Sequence, residues 1–244
     1  MKTLTIIPSR LSATRLPGKP LLKIKGLSII SHVFKRAQEA NIGDVVVAAE
    51  DQEIVDDVKK NGGQAVLTSS NHKTGTDRIF EAIKILGKND VDLVMNIQGD
   101  EPLLNLEDIK NLHNQMIKSK AELGTLASNI LDNKLYEEQN VVKVITNESL
   151  QKSNFPEAIT FTREAIKKNK NIYHHLGIYC YQIKTLESFV SFDQSQNEIK
   201  NKLEQLRALD NQIKINVACA KSTSIGVDTE EDFVAIKKIM EYKS

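Results

Sequence analysis

The sequence predicts an α/β protein built on a layered, largely parallel sheet, and three observations carry that prediction. Short apolar runs alternate with segments of helical periodicity through the first hundred residues, and a glycine pair closes one of those helical segments. After residue 100 the alternation loosens into strand-like runs that imply mixed pairing. At 244 residues the chain can bury a sizeable core, and length alone allows one or two domains. No repeat or long linker divides it, so one domain with a subdomain is expected.

The elements follow in order. LTIIP, residues 4–8, reads as a strand, and Ser28 is placed to cap a helix whose apolar positions are Ile29, Ile30, Val33, Phe34 and Ala37. DVVVAA, residues 44–49, reads as a fully buried strand, followed by a helix from Ile54 to Asn61 that Gly62 and Gly63 end. A short strand at 65–68, a helix at 76–86 and a strand at 91–97 continue the βαβ rhythm. Next come a helix over 106–119 and strand-like runs at 122–130, 141–146 and 172–181. Helical runs at 185–192 and 200–209 precede a strand at 213–220 and a last helix over 229–242. The polar stretch 191–202 is the segment expected to be mobile or exposed.

Composition narrows the function. Lys and Arg total 33 against 32 Asp and Glu, so no global field favours nucleic acid or an anionic membrane, and any anion site must be local. No segment approaches about 18 consecutive apolar residues, and Pro8 and Arg10 interrupt any signal-peptide core, so a soluble, cytoplasmic protein is expected. Cys180 and Cys219 lie in apolar strand-like runs without metal-ligand spacing and read as buried thiols.

The chemistry concentrates in a few places. RLSATRLPGKPL, residues 10–21, leaves the first strand with Arg10, Arg15 and Lys19 beside Pro17, Gly18 and Pro20, ahead of the helix expected from Ser28. That is a suitable receptor for a polyphosphate, or a basic surface loop. It is neither a Walker A loop, because Pro20 stands where Ser or Thr is needed, nor a GxGxxG fingerprint. NIQGDEP, residues 96–102, puts Asp100 at a strand tip, where it can hold magnesium or serve as a cap. Asp228 precedes the last helix beside Thr229 and Asp232, a capping-box-like pair, and offers a second carboxylate. TGTDRI sets Arg78 near a helix start, where the dipole does not favour it. A phosphate, a sugar carboxylate, or an ion pair with Asp77 or Glu81 would be its partner.

Together RLSATRLPGKPL, VVVAAED, TGTDRI, NIQGDEP, NVVKV, HHLGIYCY, LEQLRAL and GVDTEEDF span nearly the whole chain, and with them the sequence resembles the 3-deoxy-manno-octulosonate (Kdo) cytidylyltransferase family. HLGIY followed by LEQLR singles out the Kdo branch. The resemblance implies a Rossmann-like three-layer nucleotidyltransferase fold with a mixed sheet and a small dimerisation subdomain within about 125–190. It implies CTP and Kdo as substrates, Mg2+ as cofactor, a homodimer, and a product that feeds lipopolysaccharide core synthesis. By position, Arg10, Arg15, Lys19, Arg78 and Asp100 match nucleotide-binding residues, and Asp100 and Asp228 match the metal ligands. Gln98, Arg163, His175, Tyr179, Glu204 and Gln205 match the sugar-acid pocket. The catalytic set is then Arg10, Lys19, Asp100 and Asp228. From residue pattern alone, the alternative readings are a structural histidine at His175 and an exposed helix face at Glu204 and Gln205.

The chain departs from the family in two places. Ala49-Glu50 stands where Thr-Asp is usual, and TREAIKKNKN, residues 162–171, matches the family's sugar-proximal loop only at Arg163. An 8-amino variant of Kdo or a nonulosonic acid is the alternative acceptor. The rival classes are a metal-dependent glycosyltransferase, which would carry Asp-x-Asp after the central strand, and a non-catalytic nucleotide-sensing subunit.

Overall fold

The computed structural model describes residues 1–12, 15–88, 90–223 and 226–242, so Ala13 and Thr14 of the basic loop lie outside the described residues. The chain divides into two compact units, residues 1–106 with the C-terminal segment, and residues 107–223.

In the first unit β1 (Thr3–Ser9) runs into the basic loop, which closes with a short 3-10 turn at Lys19–Leu21 and a hairpin of β2 (Lys23–Ile24) and β3 (Leu27–Ser28). Then follow α1 (Ile29–Glu39), β4 (Asp44–Ala49), α2 (Gln52–Lys60), β5 (Ala65–Leu67), α3 (Gly75–Leu86) and β6 (Leu93–Asn96). β1 pairs in parallel with both β4 and β6, and β4 in parallel with β5, so the order is β6-β1-β4-β5. Ile6, Ile7, Val46, Val47, Ala48, Val94 and Met95 are buried, as continuous apolar runs covered on both faces require. Because all four strands run the same way, the segments after Ser9, Ala49, Leu67 and Asn96 gather along one edge.

The second unit contains α4 (Leu106–Ser119, entering at its second residue), β7 (Leu123–Ser128), a 3-10 turn at Asn133–Tyr136, β8 (Lys143–Thr146), β9 (Ala158–Thr162) and β10 (Ile172–Gln182). α5 (Ile183–Ser191), α6 (Gln196–Asn201), α7 (Leu206–Asp210) and β11 (Ile215–Cys219) complete it, and α8 (Glu230–Tyr242) returns to the first unit. β11 pairs in parallel with β7, whereas β7–β10, β10–β8 and β8–β9 are antiparallel, giving the mixed pairing expected after residue 100.

Two expectations need correction, and a third is met only in part. The helix expected over 200–209 is two short helices, because Lys202 adopts a left-handed conformation (φ 53°) and stops α6. The stretch 191–202 is largely exposed, as expected, but it is not a loose segment. It holds α6, opened by a capping box between Ser195 and Glu198, and Glu198 is buried against Arg207. Charge and amide content alone do not reveal a buried ion pair. Cys180 is buried as expected, but Cys219 is only partly so.

Candidate active site

At the carboxyl edge of the first unit's sheet lies a cleft of about 360 Å³, lined in part by Arg10, Arg15, Lys19, Arg78, Gln98, Asp100 and Asp228. The basic loop is held there by backbone bonds and by acidic side chains after β4. Gly18 N donates to Leu11 O, and Glu50 N to Ser9 O. Leu11 N donates to Asp51 Oδ2 at 2.8 Å, and Ser12 Oγ approaches Glu50 Oε1 at 3.4 Å. Gly18 sits at φ 70°, a conformation costly for other residues, and from there the chain turns so that Lys19 faces the cleft.

Lys19 Nζ donates to Asp100 Oδ2 at 2.6 Å and to Asp228 Oδ1 at 3.3 Å, while Arg15 Nη2 lies 2.9 Å from Asp228 Oδ2. Two carboxylates 128 positions apart therefore converge on a single ammonium. Asp100 follows β6 through Gly99, where an added Cβ would lie 3.0 Å from Pro8 O, a tight contact that glycine avoids. Asp228 is set by the start of α8. Val227 N donates to Asp100 O, the N–H groups of Asp228 and Thr229 donate to Asp232 Oδ2, and Asp232 N donates to Thr229 Oγ1, the reciprocal cap expected from sequence.

Arg78 is buried, and its partner is neither Asp77 nor Glu81. Its Nη2 donates to Glu50 Oε2 at 2.6 Å, and its Nη1 to Thr68 Oγ1 and Ser69 O. Glu50, a departure from the family pattern, thus spans Arg78 and the basic loop. The helix whose start lines the cleft is α3, through Thr74 and Gly75, rather than α1. The β2–β3 hairpin separates the loop from α1, and Asp57 of α2 accepts from the hydroxyls of Ser28 and Ser31 at the start of α1. His72 and Lys73 also line the cleft; sequence reasoning missed them, although they directly precede TGTDRI.

The second unit brings together another group. β10 bulges between Leu176 and Tyr179, which pair with successive residues Leu126 and Thr125 of β7. Thr125 Oγ1 lies 2.8 Å from Ile178 O and 3.0 Å from His175 Nε2. If the hydroxyl gives its only hydrogen to Ile178 O, it accepts from His175 Nε2, which fixes that tautomer. Burial, helped by His174 and Arg163, pushes the His175 pKa down to about 3, so the ring is neutral at physiological pH. Tyr179 lies against His175 with ring centroids 5.4 Å apart, Phe161 meets His175 edge-on at 5.0 Å, and burial raises the Tyr179 pKa well above its usual value. Arg163 Nη1 donates to Gln139 O and Asn140 O. Glu204 and Gln205 are not an exposed helix face: Gln205 is buried at the start of α7 and Glu204 is half-buried in the turn before it.

Cations and carboxylates sharing one cleft at the carboxyl edge of a parallel sheet suit a nucleoside polyphosphate with a divalent ion, the chemistry of nucleotidyltransferases. The cytidylyltransferase family model matches residues 4–215. A 3-deoxy-manno-octulosonate cytidylyltransferase of Afipia carboxidovorans is 40% identical over 240 residues, covering 98% of this chain and 96% of that protein. One of Thermodesulfovibrio yellowstonii is 41% identical over 251 residues, covering 98% of each. The structure of CMP:2-keto-3-deoxy-manno-octonic acid synthetase complexed with CTP superposes with a TM-score of 0.90 at 31% identity, over 100% of both chains. The chain belongs to the 3-deoxy-manno-octulosonate cytidylyltransferase family. Among the described residues no helix is long and apolar enough to cross a membrane.

Proposed function

We infer that this protein transfers CMP from CTP to the anomeric hydroxyl of Kdo, giving CMP-Kdo and pyrophosphate for lipopolysaccharide core synthesis. The observation that carries this reading is the full-length likeness, in sequence and in fold, to enzymes named for that sugar acid and to one complexed with CTP.

Magnesium fits the first unit's cleft. Asp100 and Asp228 already share one cation, the Lys19 ammonium, and both are partly exposed. Two carboxylates completed by phosphate oxygens and water are the usual magnesium donor set. Among the described residues no cluster of three or more acidic, His or Cys side chains offers an all-protein site. When bound, magnesium lowers the pKa of the attacking hydroxyl and neutralises charge on the phosphates.

The chain's own residues do the rest. Arg15 and Lys19 exchange their carboxylate contacts for the triphosphate and, with Arg10, hold the leaving β- and γ-phosphates; the sugar hydroxyl gives its proton to solvent as its oxygen bonds to the α-phosphorus, and the bridging oxygen departs with pyrophosphate. His175, neutral, orients a sugar hydroxyl and acts as neither imidazolium acid nor strong base. Arg163, Tyr179, Gln98, Glu204 and Gln205 complete acceptor recognition in this reading. Catalysis rests on positioning and electrostatics, with no covalent enzyme intermediate.

Pyrophosphate release with CTP and magnesium, compared for Kdo, 8-amino-Kdo and N-acetylneuraminate, tests the reading. Release with Kdo alone is expected. Release with another acid would keep the mechanism and change the acceptor, and release with none would overturn the function. Lys19→Ala is expected to raise the CTP KM by roughly 10-fold or more, the loss of a charge-assisted bond, and to move the sugar KM much less. An unchanged CTP KM would contradict the loop assignment. We also propose a homodimer, which the family resemblance implies; a monomer by light scattering would refute it.

A further inference from the structure

We propose that Lys143 is a positioning residue for the acceptor pocket: its buried ammonium clasps the 138–142 segment to the end of β9 so that Arg163 and His175 are presented together. The proposal rests on the function inferred above.

Lys143 lies on β8 and is 0% exposed. Its Nζ donates to Glu138 O at 2.9 Å and to Arg163 O at 3.1 Å, both backbone carbonyls. Among the described contacts no carboxylate forms an ion pair with it. An ammonium whose hydrogen bonds go to carbonyls in the interior is costly, even with the Glu138 charge near enough to favour it. What lysine adds over an apolar side chain is the pair of carbonyl bonds.

Those bonds close a clasp. Lys143 holds the main chain of Arg163, and Arg163 Nη1 reaches back to Gln139 O and Asn140 O in the segment Lys143 also holds. The same segment is tied to β10, since His175 N donates to Val142 O at 2.9 Å and Lys143 pairs in register with His174. One side chain therefore connects the Arg163 backbone and the 138–142 segment beside the His175 backbone. Burial, then the nearby Arg163 charge, lowers the Lys143 pKa, and the Glu138 charge partly offsets them.

The test compares wild type, Lys143→Gln and Lys143→Met as full chains, measuring kcat, the KM of each substrate and the melting temperature. Lys143→Met is expected to raise the sugar-acid KM at least tenfold with the CTP KM within twofold, and Lys143→Gln, which keeps one donor group, to recover part of that loss. If Lys143 acts through Arg163, adding Arg163→Ala to Lys143→Gln should cost less than Arg163→Ala costs alone. Should Lys143→Met fail to fold, Lys143→Gln and this cycle decide. Equal changes in both KM values, an unchanged sugar KM in Lys143→Gln, or additive losses would overturn the positioning role while leaving the function standing. A wild type that uses no sugar acid removes both.

Discussion

Asp100→Asn is expected to slow pyrophosphate release by at least about 100-fold while leaving the protein folded. The substitution keeps the shape of the side chain and removes one negative charge from a cleft where two carboxylates face one ammonium. Its stability cost should stay within about 1 kcal/mol, because the Asp100 side chain is 29% exposed and partly exposed ion pairs are worth little. The loss should therefore fall on function, and two origins for it are separable. If Asp100 served only to hold Lys19 in place, Lys19→Ala and Asp100→Asn would produce the same defect and the double variant would add nothing. If Asp100 holds magnesium, Asp100→Asn raises the magnesium concentration needed for half-maximal rate and Lys19→Ala does not. Asp228→Asn should behave like Asp100→Asn. Full turnover of Asp100→Asn with an unchanged melting temperature would remove the metal-ligand assignment.

What sequence made visible follows from how locally each feature is encoded. DVVVAA and residues 106–119 were expected as a strand and a helix with the bounds observed, because a continuous apolar run and a 3.6-residue period are read within one window. β9 escaped notice: its Ile159 is 60% exposed, and the strand is defined by its register with β8 rather than by its own pattern. The break between α6 and α7 falls at a lysine with positive φ, for which the sequence carries no glycine or proline marker. At the site, Asp100 and Asp228 were legible as a strand-tip and a pre-helix carboxylate, but their meeting on Lys19 was not. That convergence depends on Gly99 lying close to Pro8 and on Val227 bonding to Asp100, both of them tertiary facts. For the same reason the pairing of Arg78 with Glu50, the β10 bulge and the buried Lys143 could not be read from spacing.

The largest stability effect is expected at Arg207 and Glu198. Their side chains are 2% and 4% exposed, and they meet through two bonds, Nε to Oε2 at 2.8 Å and Nη2 to Oε1 at 2.6 Å. The guanidinium also lies 4.7 Å from the centre of the Phe189 ring. The pair spans the turn that carries Glu204 and Gln205, so it fixes that turn from inside. Arg207→Met or Glu198→Gln alone breaks the pair, which typically costs about 3–5 kcal/mol and should lower the melting temperature by roughly 6–20 °C. Glu198→Leu with Arg207→Met, which removes both charges, should recover much of that loss. The acid limb gives a separate check. Burial alone would raise the Glu198 pKa, but its bonds from Arg207 and Gln194 outweigh burial and hold it below 4.5. A carboxylate depressed on folding contributes stability above its unfolded pKa, and that contribution disappears as pH falls through the folded value. Below about pH 4.5 the wild type should lose melting temperature more steeply than Glu198→Gln, which has no such carboxylate to protonate. Calorimetric melts between about pH 3 and 7 would show converging curves; parallel curves, or single variants within about 1 kcal/mol of wild type, would mean the pair does not hold the turn.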